Sequence, residues 1–151
     1  MKTELRQAST QDLPQLLPLV RAYHEFEHID SSETLRESAL RRLLADPGCG
    51  GIWMIHADNL LAGYIALCRG FSIEFNGFDA FIDEFYLNPE FRGKGVGKAV
   101  LEAIKQEARK LEINAIHLEV ARDNDRARVL YRAAGFEARD KYLPMSLMLD
   151  D

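Results

Sequence analysis

The sequence predicts a mixed α/β fold, in which helices pack against one mixed β-sheet. Short runs of aromatic and β-branched residues alternate with longer stretches whose apolar residues recur at helical spacing. A strand-like run ending at Leu87, a helical stretch at 95–110 and a second strand-like run at 113–121 follow one another. Such a unit forms two parallel strands joined by a right-handed crossover, so we expect one parallel pair in the sheet. With 151 residues and 47% hydrophobic content, the chain is long enough for one domain spanning residues 1–151.

The other elements follow from local capping and turn signals. Ser9 or Thr10 can cap a first helix, and Asp46-Pro47-Gly48 ends a second. Asp58-Asn59 and Asn76-Gly77 are favourable hairpin turns. In the first half of the chain, we expect a strand at 5–8, the first helix, a helix at 31–45, strands at 52–57 and 60–68, and an extension or excursion at 71–75. In the second half, we expect a strand ending at Leu87, the helix at 95–110, a strand at 113–121, a helix ending at Gly135, and a final antiparallel hairpin at 136–141 and 145–149.

Composition and charge argue against several classes of function. The 19 basic and 24 acidic residues give a net charge of −5, which argues against a general affinity for nucleic acid. No apolar run approaches the ~20 residues of a membrane span, and the first residues lack the apolar core of a signal peptide. Cys49 and Cys68 show no metal-ligand spacing. We therefore expect a cytoplasmic protein that binds neither membranes nor a metal ion.

A glycine-rich loop at residues 92–98 lies between the strand ending at Leu87 and the following helix. A helix that begins after glycines presents unpaired N–H groups and the positive end of its dipole, which suit an anion. The loop is not a Walker A loop, because three residues rather than four separate Gly93 from Gly97-Lys98. It is not the dinucleotide fingerprint either, because Lys98 stands where the third glycine belongs.

Two motifs, in a fixed order, carry a resemblance to a known family. The loop reads Arg92-x-x-Gly95-x-Gly97, and further on the chain reads Asn124-x-x-Ala127-x-x-Leu130-Tyr131-x-x-x-Gly135-Phe136. Together they resemble the GNAT superfamily of N-acetyltransferases, and the likeness covers essentially the whole order of elements. It implies a three-layer fold with a central, mostly antiparallel sheet, one splayed parallel strand pair and flanking helices. It also implies acetyl-CoA as co-substrate, a primary amine as acceptor, direct transfer within a ternary complex, and a homodimer.

The resemblance assigns residues to the acetyl-CoA site. In this family the loop amides bind the pyrophosphate, and the strand before the loop offers main-chain contacts to pantetheine and to the acetyl carbonyl. Asn124 matches a position that contacts the CoA arm, although its side chain can equally cap the helix that follows. The implied cofactor-binding residues are Phe85, Tyr86 and Leu87 in the strand, Arg92, Gly93, Lys94, Gly95, Val96, Gly97 and Lys98 in the loop, and Asn124.

Candidate catalytic residues follow from the same likeness. Tyr131 resembles the family's general acid, and a phenol is protonated at neutral pH and can donate to a leaving thiolate. For the base we place Glu84 first and Asp83 second, the latter also as an anchor for the amine. Adjacent strand residues point to opposite faces unless a bulge changes the register. Glu25 and Glu27 present negative charge to a cationic acceptor, and the region before the loop looks somewhat like diamine and polyamine N-acetyltransferases.

Two alternatives remain open at this point. Residues 24–28, His24-Glu25-Phe26-Glu27-His28, fit the HExxH signature of zinc proteases, in which both histidines share a helix face. No third ligand stands at a recognisable spacing, so we expect two partly exposed histidines rather than a metal site. The second alternative is a catalytically silent CoA-binding regulatory module on the same scaffold.

Overall fold

The computed structural model describes residues 1–149 and divides into two compact units. The first unit, Met1–Glu119, contains a five-stranded sheet and three α-helices. The second unit begins at Val120 and contains one α-helix. None of the helices in residues 1–149 has the length and apolar character that crossing a bilayer requires. That the chain forms a single domain stays a prediction.

One mixed sheet lies at the centre of the first unit. Its strands are β1 (Thr3–Gln7), β2 (Gly50–Ala57), β3 (Leu60–Ser72), β4 (Gly77–Leu87) and β5 (Ala115–His117), in that spatial order. Neighbouring strands from β1 to β4 are antiparallel, whereas β4 and β5 are parallel. The predicted fold class, a mostly antiparallel mixed sheet with one parallel pair, is therefore confirmed.

Four α-helices lie in the described residues, and polar side chains cap some of them. They are α1 (Leu13–Phe26), α2 (Glu33–Ala45) and α3 (Val96–Lys110) in the first unit, and α4 (Asp125–Ala133) in the second. The hydroxyl of Ser32 accepts a hydrogen bond from the backbone N–H of Leu35 at 3.1 Å, which caps the start of α2. Ser9 caps a short 3-10 turn that leads into α1.

Both predicted hairpin turns are present. Asp58 and Asn59 adopt φ values of 49° and 67° between β2 and β3, and Asn76 adopts 65° before β4. Asn and Asp tolerate this left-handed conformation better than other residues with a side chain. Strand β3 continues to Ser72, so residues 71 and 72 extend the strand.

Helices α1 and α2 cover one face of the sheet. Their apolar side chains pack with residues of β2, β3 and β4 in one cluster, made up of Leu13, Leu16, Leu19, Val20, Leu40, Ile52, Met54, Tyr64, Ala66 and Tyr86. Helix α3 packs instead against β1. Because side chains alternate along a strand, Trp53, Ile65 and Leu67 belong to the opposite face. The site lies on the α1 and α2 face.

A β-bulge in β4 changes which residues reach that face. Ala66 of β3 pairs with Glu84, and the next residue of β3, Leu67, pairs with Ile82. Asp83 is therefore an extra residue in β4. In a regular strand Ile82 and Glu84 would share a face. Here Ile82 lies on the face of Leu67, whereas Glu84 lies on the α1 and α2 face.

Strands β4 and β5 separate after three residues. The parallel pairing joins residues 79–81 of β4 to Ala115–His117. From Ile82 to Leu87, the described part of β5 offers no partner to β4. The strand predicted at 113–121 is shorter than expected. It begins only at Ala115, since the backbone N–H of Ile113 still bonds to Ala108 at the end of α3, at 3.0 Å. It ends at His117, and beyond this residue the two parallel strands are no longer paired, as expected for a splayed pair.

The predicted C-terminal hairpin is wrong. Within the described residues 136–149 there is no strand. The alternation of Met145, Leu147 and Leu149 suggested one, yet these side chains are 92%, 84% and 90% exposed. Alternation favours a strand only where a neighbouring strand supplies ladder hydrogen bonds and a surface to pack on.

Candidate active site

The carboxylate of Glu84 is the centre of a hydrogen-bonded group on the α1 and α2 face. Its Oε2 lies 2.6 Å from Nε2 of His24 in α1, and its Oε1 accepts a hydrogen bond of 2.9 Å from the hydroxyl of Tyr64 in β3. The His24 and Glu84 side chains are 11% and 17% exposed, and Tyr64 is fully buried. Three elements therefore hold one carboxylate in a largely dry environment.

The tautomer of His24 follows from its second partner. Arg36 in α2 donates its Nε–H to Nδ1 of His24 at 3.0 Å. A guanidinium has donors and no acceptor, so Nδ1 must be the unprotonated nitrogen. The ring proton is then on Nε2, where it is donated to Glu84. His24 is thus neutral, and both hydrogen bonds to Glu84 come from neutral groups.

Arg36 is itself buried, and each of its three guanidinium nitrogens donates a hydrogen bond. The residue is 8% exposed, and its Nη1 and Nη2 donate to the Glu33 carboxylate at 2.6 Å and to the Ser31 carbonyl at 3.1 Å. Glu33 also accepts from Arg21 at 2.7 Å. The carboxylate of Glu33 therefore offsets the charge of Arg36 on the side away from His24.

Burial sets the protonation chemistry of the group. Desolvation raises the pKa of Glu84 above its ordinary value, against the hydrogen bond from His24, the positive charge that His24 would carry if protonated and the hydrogen bond from Tyr64, and the charge of Asp83 raises it further. Burial, followed by the charge of Glu84, also raises the pKa of Tyr64, which keeps the phenol protonated as a donor. A carboxylate with a raised pKa is suited to accept a proton near neutral pH.

A cavity of about 300 Å³ opens beside Glu84 between α1, α2 and the sheet. Its polar lining comes from His24, Ser31, Arg36, Tyr64, Cys68, Asp83 and Glu84, and its apolar lining from Val20, Leu35, Ala39, Leu40, Leu43, Ile52 and Ala66. Burial and the nearby acidic groups raise the pKa of the Cys68 thiol to about 11. Leu35 lines the cavity although it is 68% exposed, so an apolar surface faces open space there.

Of the acidic residues predicted to act on the acceptor, one pair lines the cavity and the other pair does not. Asp83 and Glu84 both line the cavity, because the bulge removes the strict alternation that would turn one away. Glu25 and Glu27 lie exposed at the end of α1 and outside the cavity lining. Their predicted part in acceptor binding stays a prediction.

The HExxH motif folds into an arrangement unlike a zinc site. Helix α1 ends at Phe26, and His28 follows in a turn with φ of 56°. The ring of His24 is occupied on both sides, by Glu84 and Arg36. His24 is buried rather than partly exposed as expected, because it packs under α2. Across residues 1–149, no three potential ligands gather into a metal site.

The glycine-rich loop has the geometry of an anion site. Gly93 and Gly95 adopt φ values of 72° and 82°, and Gly95 precedes the first residue of α3, Val96. A Cβ added at Gly95 would meet no described atom within 4 Å, so the loop borders open space. The first N–H groups of α3, at Val96, Gly97 and Lys98, have no acceptor within the helix. These features fit a pyrophosphate.

Arg92 connects this loop to the end of β4. Its Nε donates to the Leu87 carbonyl at 2.9 Å, and its guanidinium lies 5.3 and 5.4 Å from the ring centroids of Phe26 and Tyr86. Its side chain thus anchors the loop to β4. Lys94 and Lys98, in contrast, are exposed.

The predicted main-chain contacts lie on an open edge of β4. Phe85, Tyr86 and Leu87 pair with β3 on one side. On the other side, β5 stops at His117, opposite Phe81, so no described residue of β5 bonds to them. Backbone groups on such an edge can receive an extended ligand.

In the second unit, Asn124 precedes α4 as its N-cap, and Tyr131 lies on α4. The Asn124 side chain accepts a hydrogen bond from the backbone N–H of Ala127 at 3.2 Å, which confirms its capping role. The Tyr131 ring packs edge-to-face against Phe136 at 5.8 Å between centroids. The roles of both residues toward acetyl-CoA stay predictions.

Comparison with known proteins places this geometry in a family. Residues 13–136 match the model of the Acetyltransferase (GNAT) family. The chain belongs to this family. The match spans the loop, the bulged strand and α4 together.

Individual relatives agree with this assignment. The thialysine N-epsilon-acetyltransferase of Bos taurus is 28% identical over 144 residues, covering 87% of this chain and 82% of that protein. The uncharacterized N-acetyltransferase YycN of Bacillus subtilis is 39% identical over 69 residues, covering 46% of this chain and 44% of that protein. The solved structure of the integron cassette protein HFX_CASS3, from the mobile metagenome of Cole Harbour Salt Marsh, superposes with a TM-score of 0.84 at 31% sequence identity. The superposition covers 97% of this chain and 91% of the cassette protein.

Sequence reasoning missed the partners of Glu84. Tyr64 and Arg36 belong to no motif, and the HExxH pattern indicates for His24 either a zinc ligand or a partly exposed side chain. One signal was available: Arg36 precedes Leu40 and Leu43 at helical spacing, which places a cation on the apolar side of α2. A charged residue in that position needs a buried partner.

Replacing Glu84 with Gln tests its raised pKa through stability. Folded protein with a raised carboxyl pKa binds its proton more tightly than the unfolded chain does, so wild-type stability falls as pH rises from about 4.5 through the folded pKa. Over pH 4.5 to 8, the free energy of unfolding of E84Q should therefore rise relative to wild type. Urea unfolding at several pH values measures this difference.

The exposed residue Glu102 provides the matched control. Lys105 lowers the pKa of Glu102, so the contribution of Glu102 to the free energy of unfolding changes with pH in the direction opposite to that of Glu84. This change lies mostly below pH 4.5. The stability difference for E102Q should stay nearly flat from pH 4.5 to 8. An equally flat difference for E84Q contradicts the raised pKa.

Proposed function

We propose that this protein is an acetyl-CoA-dependent N-acetyltransferase that transfers the acetyl group directly to a primary amine within a ternary complex, with Glu84 as the general base. The observation that carries the proposal is the Glu84 carboxylate, which accepts hydrogen bonds from His24 and Tyr64 and lines a cavity. Family membership supports the acetyl donor.

Proton removal is the task of Glu84. A free alkylammonium has a pKa of about 10.4, so an acceptor amine must lose a proton before it can attack a thioester. The raised pKa of Glu84 suits it to take that proton, directly or through one water. Asp83, beside it in the cavity, attracts the cationic form of the acceptor.

The donor is assigned to the loop and the open edge of β4. The amides of the loop, with Lys94 and Lys98, bind the pyrophosphate. The main chain of residues 85–87 receives pantetheine and polarises the thioester carbonyl. Acetyl-CoA supplies an activated acyl group and a thiolate leaving group. In this proposal Tyr131 protonates that thiolate, and Asn124 contacts the CoA arm in addition to capping α4.

The cavity favours a small amine with an apolar part. Its outer wall comes from α2, where Leu35 and Ala39 are exposed and lie one turn apart, and Leu43 continues the wall. Acidic Asp83 and Glu84 also line the cavity. The name of the bovine relative, a thialysine N-epsilon-acetyltransferase, supports including side-chain amines of amino acids among candidate acceptors.

An acceptor screen tests the proposed function. Thiol release from acetyl-CoA is measured with amino acids, diamines, polyamines, aminoglycosides and peptides. Wild type should turn over at least one amine, and E84Q and Y131F should each be slower by roughly 10²- to 10⁴-fold, as expected for loss of an acid or base. E102Q should match wild type. Unchanged turnover in Y131F would contradict the assignment of Tyr131 as the acid. Tight CoA binding by wild type without turnover of any amine would favour a catalytically silent CoA-binding module instead.

Filling the cavity tests where the acceptor binds. Ala39→Trp adds a large side chain to the wall of the cavity, so KM for the acceptor should rise about tenfold or more while KM for acetyl-CoA stays unchanged. Ser38→Trp places the same side chain at the neighbouring exposed position of α2, outside the cavity lining. Equal effects of the two variants on acceptor KM contradict this placement.

A further inference from the structure

We propose that Arg36 is a positioning residue for the acid–base step, because it holds His24 as the neutral tautomer that donates Nε2–H to Glu84. The proposal rests on the proposed function of Glu84 as the base. Arg36 lines the cavity, but its guanidinium donates to His24, Glu33 and the Ser31 carbonyl rather than to the Glu84 carboxylate; it acts on Glu84 through the imidazole ring of His24.

The hydrogen bonds of Arg36 are compatible with one protonation state of the His24 ring. Its Nε–H points at Nδ1 of His24, and its other nitrogens are held by Glu33 and the Ser31 carbonyl. A second proton on His24 would have to enter at Nδ1, against both the N–H of Arg36 and its positive charge. The hydrogen-bonding position that would make His24 an imidazolium is therefore already taken.

A neutral His24 matters because of its effect on Glu84. An imidazolium beside the carboxylate would form a charge-assisted pair that stabilises the ionised form and weakens its hold on a proton. The groups that face Glu84 are His24 from α1, Tyr64 and Cys68 from β3, and its neighbour Asp83 in β4. From α2, Arg36 faces it only through His24.

The proton step balances without another reactant. An N–H bond of the acceptor ammonium breaks, and an O–H bond forms on Glu84. With neutral donors on both oxygens, the carboxylate gains this proton without losing an ionic partner. The Glu33 carboxylate, 2.6 Å from Nη1 of Arg36, offsets the guanidinium charge that would otherwise oppose protonation of Glu84.

Nitrogen-15 NMR of the histidine ring tests the tautomer directly. In wild type at pH 7.5, His24 should show an unprotonated Nδ1 and a protonated Nε2. In R36Q the cation is gone, so His24 should take a second proton at Nδ1 and the wild-type pattern should be lost. R36K keeps a cationic donor, provides a second variant if R36Q does not fold, and should retain the wild-type pattern. A protonated Nδ1 in wild type, or the wild-type pattern in folded R36Q, overturns the proposal.

The pH dependence of kcat/KM separates this role from a merely structural one. In R36Q, the acid limb of the kcat/KM profile should move to lower pH by about one unit. The reason is that an imidazolium at His24 would lower the pKa of the adjacent Glu84 carboxyl, as an opposite charge does by roughly 1–3 units. In an H24Q background, where no imidazolium can form, R36Q should cause no further shift. Arg41→Gln, which removes an exposed ion pair with Glu37 in the same helix, should leave the profile unchanged.

Two outcomes of this cycle contradict the role of Arg36. Equal shifts of the acid limb in the native and H24Q backgrounds mean that Arg36 does not act through His24. A loss of rate without any shift means that it supports only the packing of α2. If wild type turns over no amine, the proposed function fails by itself, and the NMR experiment still decides the tautomer.

Discussion

The place of Glu84 depends on one extra residue in β4. Asp83 interrupts the pairing with β3, and Glu84 thereby reaches the space between the sheet, α1 and α2. The properties of its carboxylate come from this face: the N–H of His24, the hydroxyl of Tyr64 and burial beneath the helices. Without the bulge, Ile82 and Glu84 would lie on the same face of the sheet. An irregularity of the strand therefore determines which chemistry the cavity can support.

A buried carboxylate destabilises a fold unless donors replace its water. Here the replacement comes from neutral donors, which satisfy both oxygens without fixing the negative charge as a cation would. The nearby cation, Arg36, reaches the carboxylate only through His24, and Glu33 offsets its charge. These hydrogen bonds lower the pKa of Glu84, but burial outweighs them, so the carboxylate keeps its hydrogen bonds and a raised pKa together.

Signals that are local in the chain predicted most of the fold. The Ser32 cap, the Asp58-Asn59 turn and the positive φ of Gly95 each depend on a few neighbouring residues. The partners of Glu84 come from α1, α2 and β3 and meet only after the bulge sets the register, so no local pattern could reveal them. The wrong C-terminal hairpin has a related cause, since alternating residues form a strand only when a distant edge is available.

The central claim is that the fold gives Glu84 the proton affinity of a base. A carbon-13 NMR titration of its side-chain carboxyl tests this most directly, with E84Q used to assign the signal. The account predicts a midpoint clearly above the ordinary value of about 4.5, because burial disfavours the charge and only neutral groups donate to it. A midpoint at or below 4.5 would contradict the account, whatever the activity of the protein.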